Sequence, residues 1–175
     1  RGIIPAGMEM MDKALIHATD NFVKAGYPRE AESMLIVELD GTETEVEELI
    51  EQVSEIAKKN KSSSIKISKS EKQRLKFWAG RKAAFPACGD LAPDYYCMDG
   101  TIPRSKLAQV LKEIGKLSKK YGLPVANAFH AGDGNLHPLI MYDANEKNSL
   151  EKTEKFGADI LKYCVKVGGV LTGEH

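Results

Sequence analysis

Apolar residues along the chain follow two rhythms: a period near 3.6 that marks helices, and an alternation or short continuous run that marks strands. Residues 3–11 are mostly apolar and predict a short strand running into a helix that carries Met11, Leu15, Ala18 and Phe22 on one side. Gly26 closes that helix and Pro28 opposes a restart. The run 34–39, apolar except for Glu38, predicts a strand covered on both faces or nearly so. After the Asp40-Gly41 turn, Thr42 and Glu45 form a capping box, and Val46, Leu49, Ile50, Val53, Ile56 and Ala57 recur at helical spacing. Glu43, Glu45, Glu47 and Glu48 open this helix and Lys58 and Lys59 close it, the order that the helix dipole favours. The acidic run is therefore a solvated helix start and not a metal site.

Residues 64–68 alternate as a half-buried strand, and 71–85 predict a helix with Leu75, Trp78 and Ala79 inward, ended by Pro86. Arg81 and Lys82 fall near its last turn, where cations complement the helix C-terminus. A strand at 95–99 follows, then a helix opened by Pro103 and closed by Gly122, with Leu107, Val110, Leu111, Ile114 and Leu117 in period. Two strands, 125–129 and 139–142, flank a glycine-rich turn; a helix over 145–167 turns Leu150, Ile160, Leu161 and Cys164 inward, and 170–172 is a last strand. The order β-α-β-β-α-β predicts an α+β fold of the ferredoxin-like kind, an antiparallel sheet with helices packed on one face. The upstream elements extend that sheet or form a partial second copy.

Composition narrows the class. Of 175 residues, 42% are hydrophobic and 29% charged, as in a soluble globular domain with a proper core. Lysine plus arginine equals aspartate plus glutamate, 25 against 25, so no basic excess exists to hold nucleic acid or to steer an anionic membrane. Cys88, Cys97 and Cys164 form no C-x-x-C pair and are odd in number, which fits unpaired thiols in a reducing compartment. No apolar run approaches the length of a spanning helix and no signal peptide precedes the first pattern. The expected location is cytoplasmic, with a peripheral position at the inner face of the membrane left open. A start at Arg1 and a stop after a polar triplet predict a piece of something larger.

The chemistry concentrates in His130-Ala131-Gly132-Asp133-Gly134-Asn135-Leu136-His137. Gly-Asp-Gly-Asn tolerates positive φ, so the stretch predicts a hairpin turn with His130 at the end of one strand and His137 at the start of the next. Their ring nitrogens can then converge on a metal ion, or each can simply bond to backbone. A dinucleotide fingerprint is rejected, because His137 stands at the third glycine position and no helix follows. His17 reads as a surface or capping residue. Glu174 and His175 follow the last strand of the same sheet and can reach the pair. Two imidazoles and a carboxylate suit Zn²⁺, Mn²⁺ or Fe²⁺ with positions open for substrate. A 2-hydroxy acid chelated there would have its hydroxyl acidified, and His175 could take the proton. None of these residues accepts a hydride, so a flavin or nicotinamide must come from elsewhere.

The motifs 130–138 and Gly173-Glu174-His175 resemble the C-terminal, substrate-side domain of the FAD-linked oxidases that include D-lactate dehydrogenase and the FAD subunit of glycolate oxidase. So do Pro5-Ala6-x-Met8-Glu9-Met10-Met11-Asp12, Phe77-Trp78-x-x-Arg81-Lys82-Ala83-Ala84-Phe85-Pro86 and Pro93-Asp94-Tyr95-Tyr96-Cys97-Met98-Asp99-Gly100-Thr101-Ile102-Pro103. The resemblance covers nearly the whole chain and implies that His130, His137 and Glu174 bind a divalent metal, that Arg81 grips the substrate carboxylate, and that His175 is the base while hydride passes to FAD. It implies a second role for Arg81 beyond the helix terminus, and bidentate recognition of a carboxylate suits a guanidinium. Cys97 and Leu139 stand where the 2-hydroxyglutarate branch is expected to carry a lysine and an amide, so a second substrate carboxylate is not expected.

The resemblance further implies that residues 1–175 are a fragment of the cap domain, with the FAD-binding domain lying outside them and the fragment inactive by itself. Expected partners are a small 2-hydroxy acid, that FAD-binding domain and other oxidase subunits, including an iron-sulfur subunit; nucleic acid is not expected. Two further readings compete, a non-catalytic ferredoxin-like assembly module and a metal hydrolase using the same ligands on water.

Overall fold

The computed structural model describes residues 2–173. Among these residues, seven strands form one antiparallel sheet: β1 (Gly7–Asp12), β2 (Ser33–Glu38), β3 (Asp94–Cys97), β4 (Gly100–Thr101), β5 (Val125–His130), β6 (Asn135–Tyr142) and β7 (Val170–Leu171). Six α-helices accompany them: α1 (Lys13–Val23), α2 (Glu43–Lys59), α3 (Glu71–Lys82), α4 (Ala84–Ala87), α5 (Leu107–Tyr121) and α6 (Ser149–Lys166).

The sheet order is β2-β1-β5-β6-β4-β7, and β3 runs along β6 in line with β4. Read from β7, the order β7-β4-β6-β5 is that of a ferredoxin-like unit, as expected, and β1 and β2 extend it beyond β5. Strand alternation divides the core between the two faces. Phe129, Leu136 and Ile140 face one side and pack with Val110 and Ile114 of α5 and Phe156 and Ile160 of α6. Met11, Ala126, Ala128, Leu139 and Met141 face the other, packed with Leu15 and Ile16 of α1 and Ala84 of α4. The helices of the ferredoxin-like unit thus share one face, and the upstream helices cover the opposite one. Each fully buried large apolar side chain in these layers contributes about 1.5–3 kcal/mol.

Several local expectations are corrected. The first strand runs through Asp12, whose Oδ1 caps α1 by accepting from the Leu15 N–H at 3.2 Å. The left-handed residue that ends α1 is Lys24, not Gly26. β2 is an edge strand with Leu35 58% exposed, because an unbroken apolar run does not distinguish an edge from a centre. Residues 64–68 form no strand and Ile65 and Ile67 are exposed: alternation needs a free ladder beside it, and here the chain crosses the surface with Lys66 Nζ donating to the Gly26 carbonyl. The capping box of α2 is present as expected, yet none of its residues is buried. Leu75 is exposed on α3. Pro86 does not end the helix but lies inside α4, a single turn whose first N–H groups need no partner.

Candidate functional site

The turn between β5 and β6 is pinned from several directions. The N–H groups of Asp133 and Gly134 donate to the His130 carbonyl at 3.1 and 3.0 Å, the Gly132 N–H donates to Met8 on β1 at 3.0 Å, and the Gly134 carbonyl accepts from the Ile102 N–H at 2.9 Å. Gly134 has φ +78°, and a Cβ there would collide with the Ile102 carbonyl. Glycine is required at this position for both reasons.

The register then aligns four side chains in a row across three strands and the link between β3 and β4. His130 lies opposite Glu9 of β1, and Ala128 lies opposite His137, which makes the two histidines diagonal neighbours on one face of β5–β6. Their ring centroids are 4.9 Å apart with planes at 90°. Across β6, Cys97 opposes Leu139 and Gly100 opposes Leu136, so Asp99, between β3 and β4, falls opposite His137 in unbroken register. The interruption of that strand is caused by Pro138. Its carbonyl accepts from the Met98 N–H at 3.4 Å, so its nitrogen faces Met98 too, and that nitrogen has no hydrogen to give the Met98 carbonyl. The Cys97 thiol approaches that carbonyl instead, at 3.8 Å.

Each imidazole therefore meets a carboxylate. Oε1 of Glu9 is 2.7 Å from Nδ1 of His130, and Oδ1 of Asp99 is 2.7 Å from Nδ1 of His137. An ionised carboxylate only accepts, so the neutral His130 ring carries its proton on Nδ1 and its lone pair on Nε2. The other oxygen of Glu9 accepts from Arg81 Nε at 2.9 Å and lies within ion-pair range of Nη2 at 2.8 Å. His137 is 1% exposed and lies 6.3 Å from the Phe85 ring, whereas the His130 side chain is 33% exposed. The row is closed beneath His137 and open at His130.

Arg81 is placed by the α1–α3 packing. Gly80 takes the Tyr27 ring against its backbone, and a Cβ there would collide with it. The thiols nearby are inert. Burial, with Asp99 and Cys88 adjacent, pushes Cys97 up to about 12, and burial with Asp12 nearby pushes Cys88 up to about 11. Neither supplies a thiolate near neutral pH.

His130, His137 and Arg81, the sequence-derived candidates within the described residues, are thus brought into one cluster. Glu174 and His175 lie outside the described residues. The chain leaves β7 beside this row, where the Thr172 N–H donates to the Asp99 carbonyl at 3.5 Å. Among the described residues, no three His, Cys, Asp or Glu side chains by themselves form a metal-holding group. The donor chemistry nevertheless fits an ion, since histidines that ligate metals commonly donate their other N–H to a carboxylate. Glu9 and Asp99 were missed as site residues. One signal was available, a single charged residue breaking the apolar stretch 8–11.

A family model for the C-terminal domain of FAD linked oxidases matches residues 1–175. The chain belongs to this family. Among the relatives of this FAD-linked oxidase domain, the glycolate oxidase subunit GlcD of Escherichia coli (strain K12) is 53% identical over 174 residues, covering 99% of the chain and 35% of that protein. The probable mitochondrial D-lactate dehydrogenase of Danio rerio is 29% identical over 178 residues, again covering 99% of the chain and 35% of that protein. The chain therefore spans about a third of the length of these relatives. The 4-ethylphenol oxidase from Gulosibacter chungangensis, solved as its isoeugenol complex, shares the fold with a TM-score of 0.63 at 10% identity, over 93% of this chain and 38% of that one.

Proposed function

We propose that the chain is the substrate- and metal-binding part of a flavin-dependent 2-hydroxy acid dehydrogenase that oxidises glycolate or D-lactate to the 2-oxo acid. The observation that carries this reading is the row Glu9–His130–His137–Asp99, with a carboxylate oxygen 2.7 Å from Nδ1 of each ring and a buried arginine at one end. The similarity to a glycolate oxidase subunit and a D-lactate dehydrogenase supports the substrate class. Residues 1–175 are, in this reading, a cap domain, and a flavin-binding domain outside them holds most of the FAD.

His130 and His137 would hold a divalent ion, Zn²⁺, Mn²⁺ or Fe²⁺, completed by Glu174. When bound, such an ion acidifies a chelated 2-hydroxyl and FAD accepts the hydride. Arg81 keeps Nε on Glu9 and offers the donor capacity left on its guanidinium to the substrate carboxylate. His175 takes the hydroxyl proton, so that the acid loses a hydride and a proton together and leaves as the 2-oxo acid. The free thiols Cys88, Cys97 and Cys164 support a cytoplasmic location.

The test uses the intact protein. Metal content is compared between wild type and a His130→Ala, His137→Ala variant, and flavin bleaching is followed with glycolate and with D-lactate. Metal lost in the variant and bleaching by either acid support the reading; equal metal content, or no bleaching by both acids, overturns it. A second reading, an assembly module within a multi-subunit oxidase that includes an iron-sulfur subunit, is favoured by α2, whose apolar positions Val46, Leu49, Ile50 and Val53 are only half-buried. Absence of bleaching with α2-dependent capture of other oxidase subunits would support that reading.

A further inference from the structure

We propose that Glu9 is a positioning residue of this site, one carboxylate that sets both the tautomer of His130 and the placement of Arg81. The inference rests on the reading of His130 as a metal ligand given above.

Glu9 occupies the same face of β1 as Met11, which belongs to a buried apolar cluster with Leu15, Ala128 and Leu139. Its side chain is 12% exposed. A carboxylate is kept in such surroundings only when its oxygens are engaged. Both are: Oε1 meets His130 Nδ1 at 2.7 Å, and Oε2 meets Arg81 Nε at 2.9 Å and Nη2 at 2.8 Å.

The two imidazoles differ in what holds them. His137 is enclosed, with Phe85 against its ring, so packing fixes it as well as Asp99. His130 stands at the open end of the row, a third exposed, and the hydrogen bond to Glu9 is what orients it. Which ring nitrogen carries the proton is decided by the partner of the other. Glu9 holds the proton on Nδ1 and leaves the Nε2 lone pair on the side of the ring that a ligated ion would occupy.

Arg81 makes the requirement sharper. Its guanidinium is permanently cationic and buried, so it must be given an acceptor. Replace Glu9 by glutamine, which has the same shape but one acceptor oxygen and one donor nitrogen. The oxygen goes to Arg81, and the NH₂ then faces His130 Nδ1, which has to become an acceptor. The proton moves to Nε2, and the ring can no longer ligate through that atom. A change of one heavy atom on a neighbouring strand thereby switches off a ligand without moving it.

The experiment uses the intact protein, uniformly ¹⁵N-labelled, freed of metal and held at mildly alkaline pH. Histidine ring nitrogen spectra are recorded for wild type, Glu9→Gln and His130→Gln, the last to assign the signal. The expected result is a His130 ring protonated at Nδ1 in wild type and at Nε2 in Glu9→Gln. Zinc affinity is then measured by competition with a chromophoric chelator, and Glu9→Gln is expected to bind roughly 10- to 100-fold more weakly. A wild-type His130 protonated at Nε2, an unchanged tautomer in Glu9→Gln, or measurable zinc binding of equal affinity in the two folded proteins would overturn the proposal. The wild-type spectrum decides the first point whatever the stability of the variant. If the tautomer switches but neither protein binds zinc, Glu9 keeps its positioning role and the metal reading of the site falls.

Discussion

Tyr27 and Gly80 touch backbone to ring: the Tyr27 hydroxyl accepts from the Gly80 N–H at 3.0 Å and donates to the Phe77 carbonyl, while the ring fills the space a Gly80 side chain would need. This contact seats α3, and with it Arg81, against α1 and β1. Gly80→Ala is expected to cost about 1–3 kcal/mol through overpacking, even though alanine is the better helix former. Denaturant titration checks the stability, and under the proposed role of Arg81 the substrate affinity of the intact protein should fall as well. A neutral or stabilising effect would mean that the ring moves aside without consequence.

Asp12 joins three elements, with Oδ1 accepting from the Leu15 N–H and Oδ2 accepting from the Asn127 backbone N–H at 2.9 Å and side-chain amide at 2.7 Å. Burial raises its pKa above the ordinary 3.8 although these hydrogen bonds oppose the rise. Asp12→Ala is expected to cost about 1–3 kcal/mol, because buried donors lose their acceptor. A raised folded-state pKa means that the folded protein holds the proton more tightly than the unfolded chain. The advantage of wild type over Asp12→Ala should therefore be largest below pH 3.8 and shrink as pH rises through the folded-state value. Paired denaturation curves across that range give the sign directly.

Asp20 titrates in the opposite sense. Desolvation pushes its pKa up, but the N–H groups of Tyr27 and Gly26 and the Arg29 guanidinium outweigh it and bring the net value below 3.8. Its contribution is present above pH 3.8 and is lost as pH falls through the lowered folded-state value. Asp20→Ala should cost about 1 kcal/mol near neutral pH, the worth of such turn hydrogen bonds. In strong acid the difference from wild type should narrow; a gap that widens there would contradict the assignment.

Gly134→Ala tests the turn. The substitution forces a side chain into φ +78° and against the Ile102 carbonyl, so a loss of about 1–3 kcal/mol is expected. Hydrogen exchange of the Ile102 amide, which donates to Gly134, should rise more than that of amides in α5. Equal protection in variant and wild type would show that the strain is relieved elsewhere.

What the sequence discloses is what is encoded locally. The glycine turn between His130 and His137, the capping box at Thr42 and the period of α5 depend on neighbours within a few residues, and each is found in place. The ferredoxin-like order follows from the succession of elements. Glu9 and Asp99 were not legible as parts of the site, because their partners are set by register between strands: Glu9 meets a histidine 121 positions away. Residues 64–68 alternate without pairing, and β2, a strand as its apolar run predicts, leaves Leu35 exposed, since burial of a strand depends on which ladder lies beside it. Pro86 does not act as the terminator that its residue type predicts, because a new helical turn begins just before it.

The hairpin that carries the imidazoles is tied down on both flanks, to Met8 on one side and to Ile102 on the other. Such a turn is pre-organised: the conformational freedom that binding would otherwise remove is already gone when the chain has folded. In the proposed reading, a cation or small acid arriving there meets a turn that is already ordered, so its affinity depends on shedding water from the open His130 end rather than on gathering a loose loop.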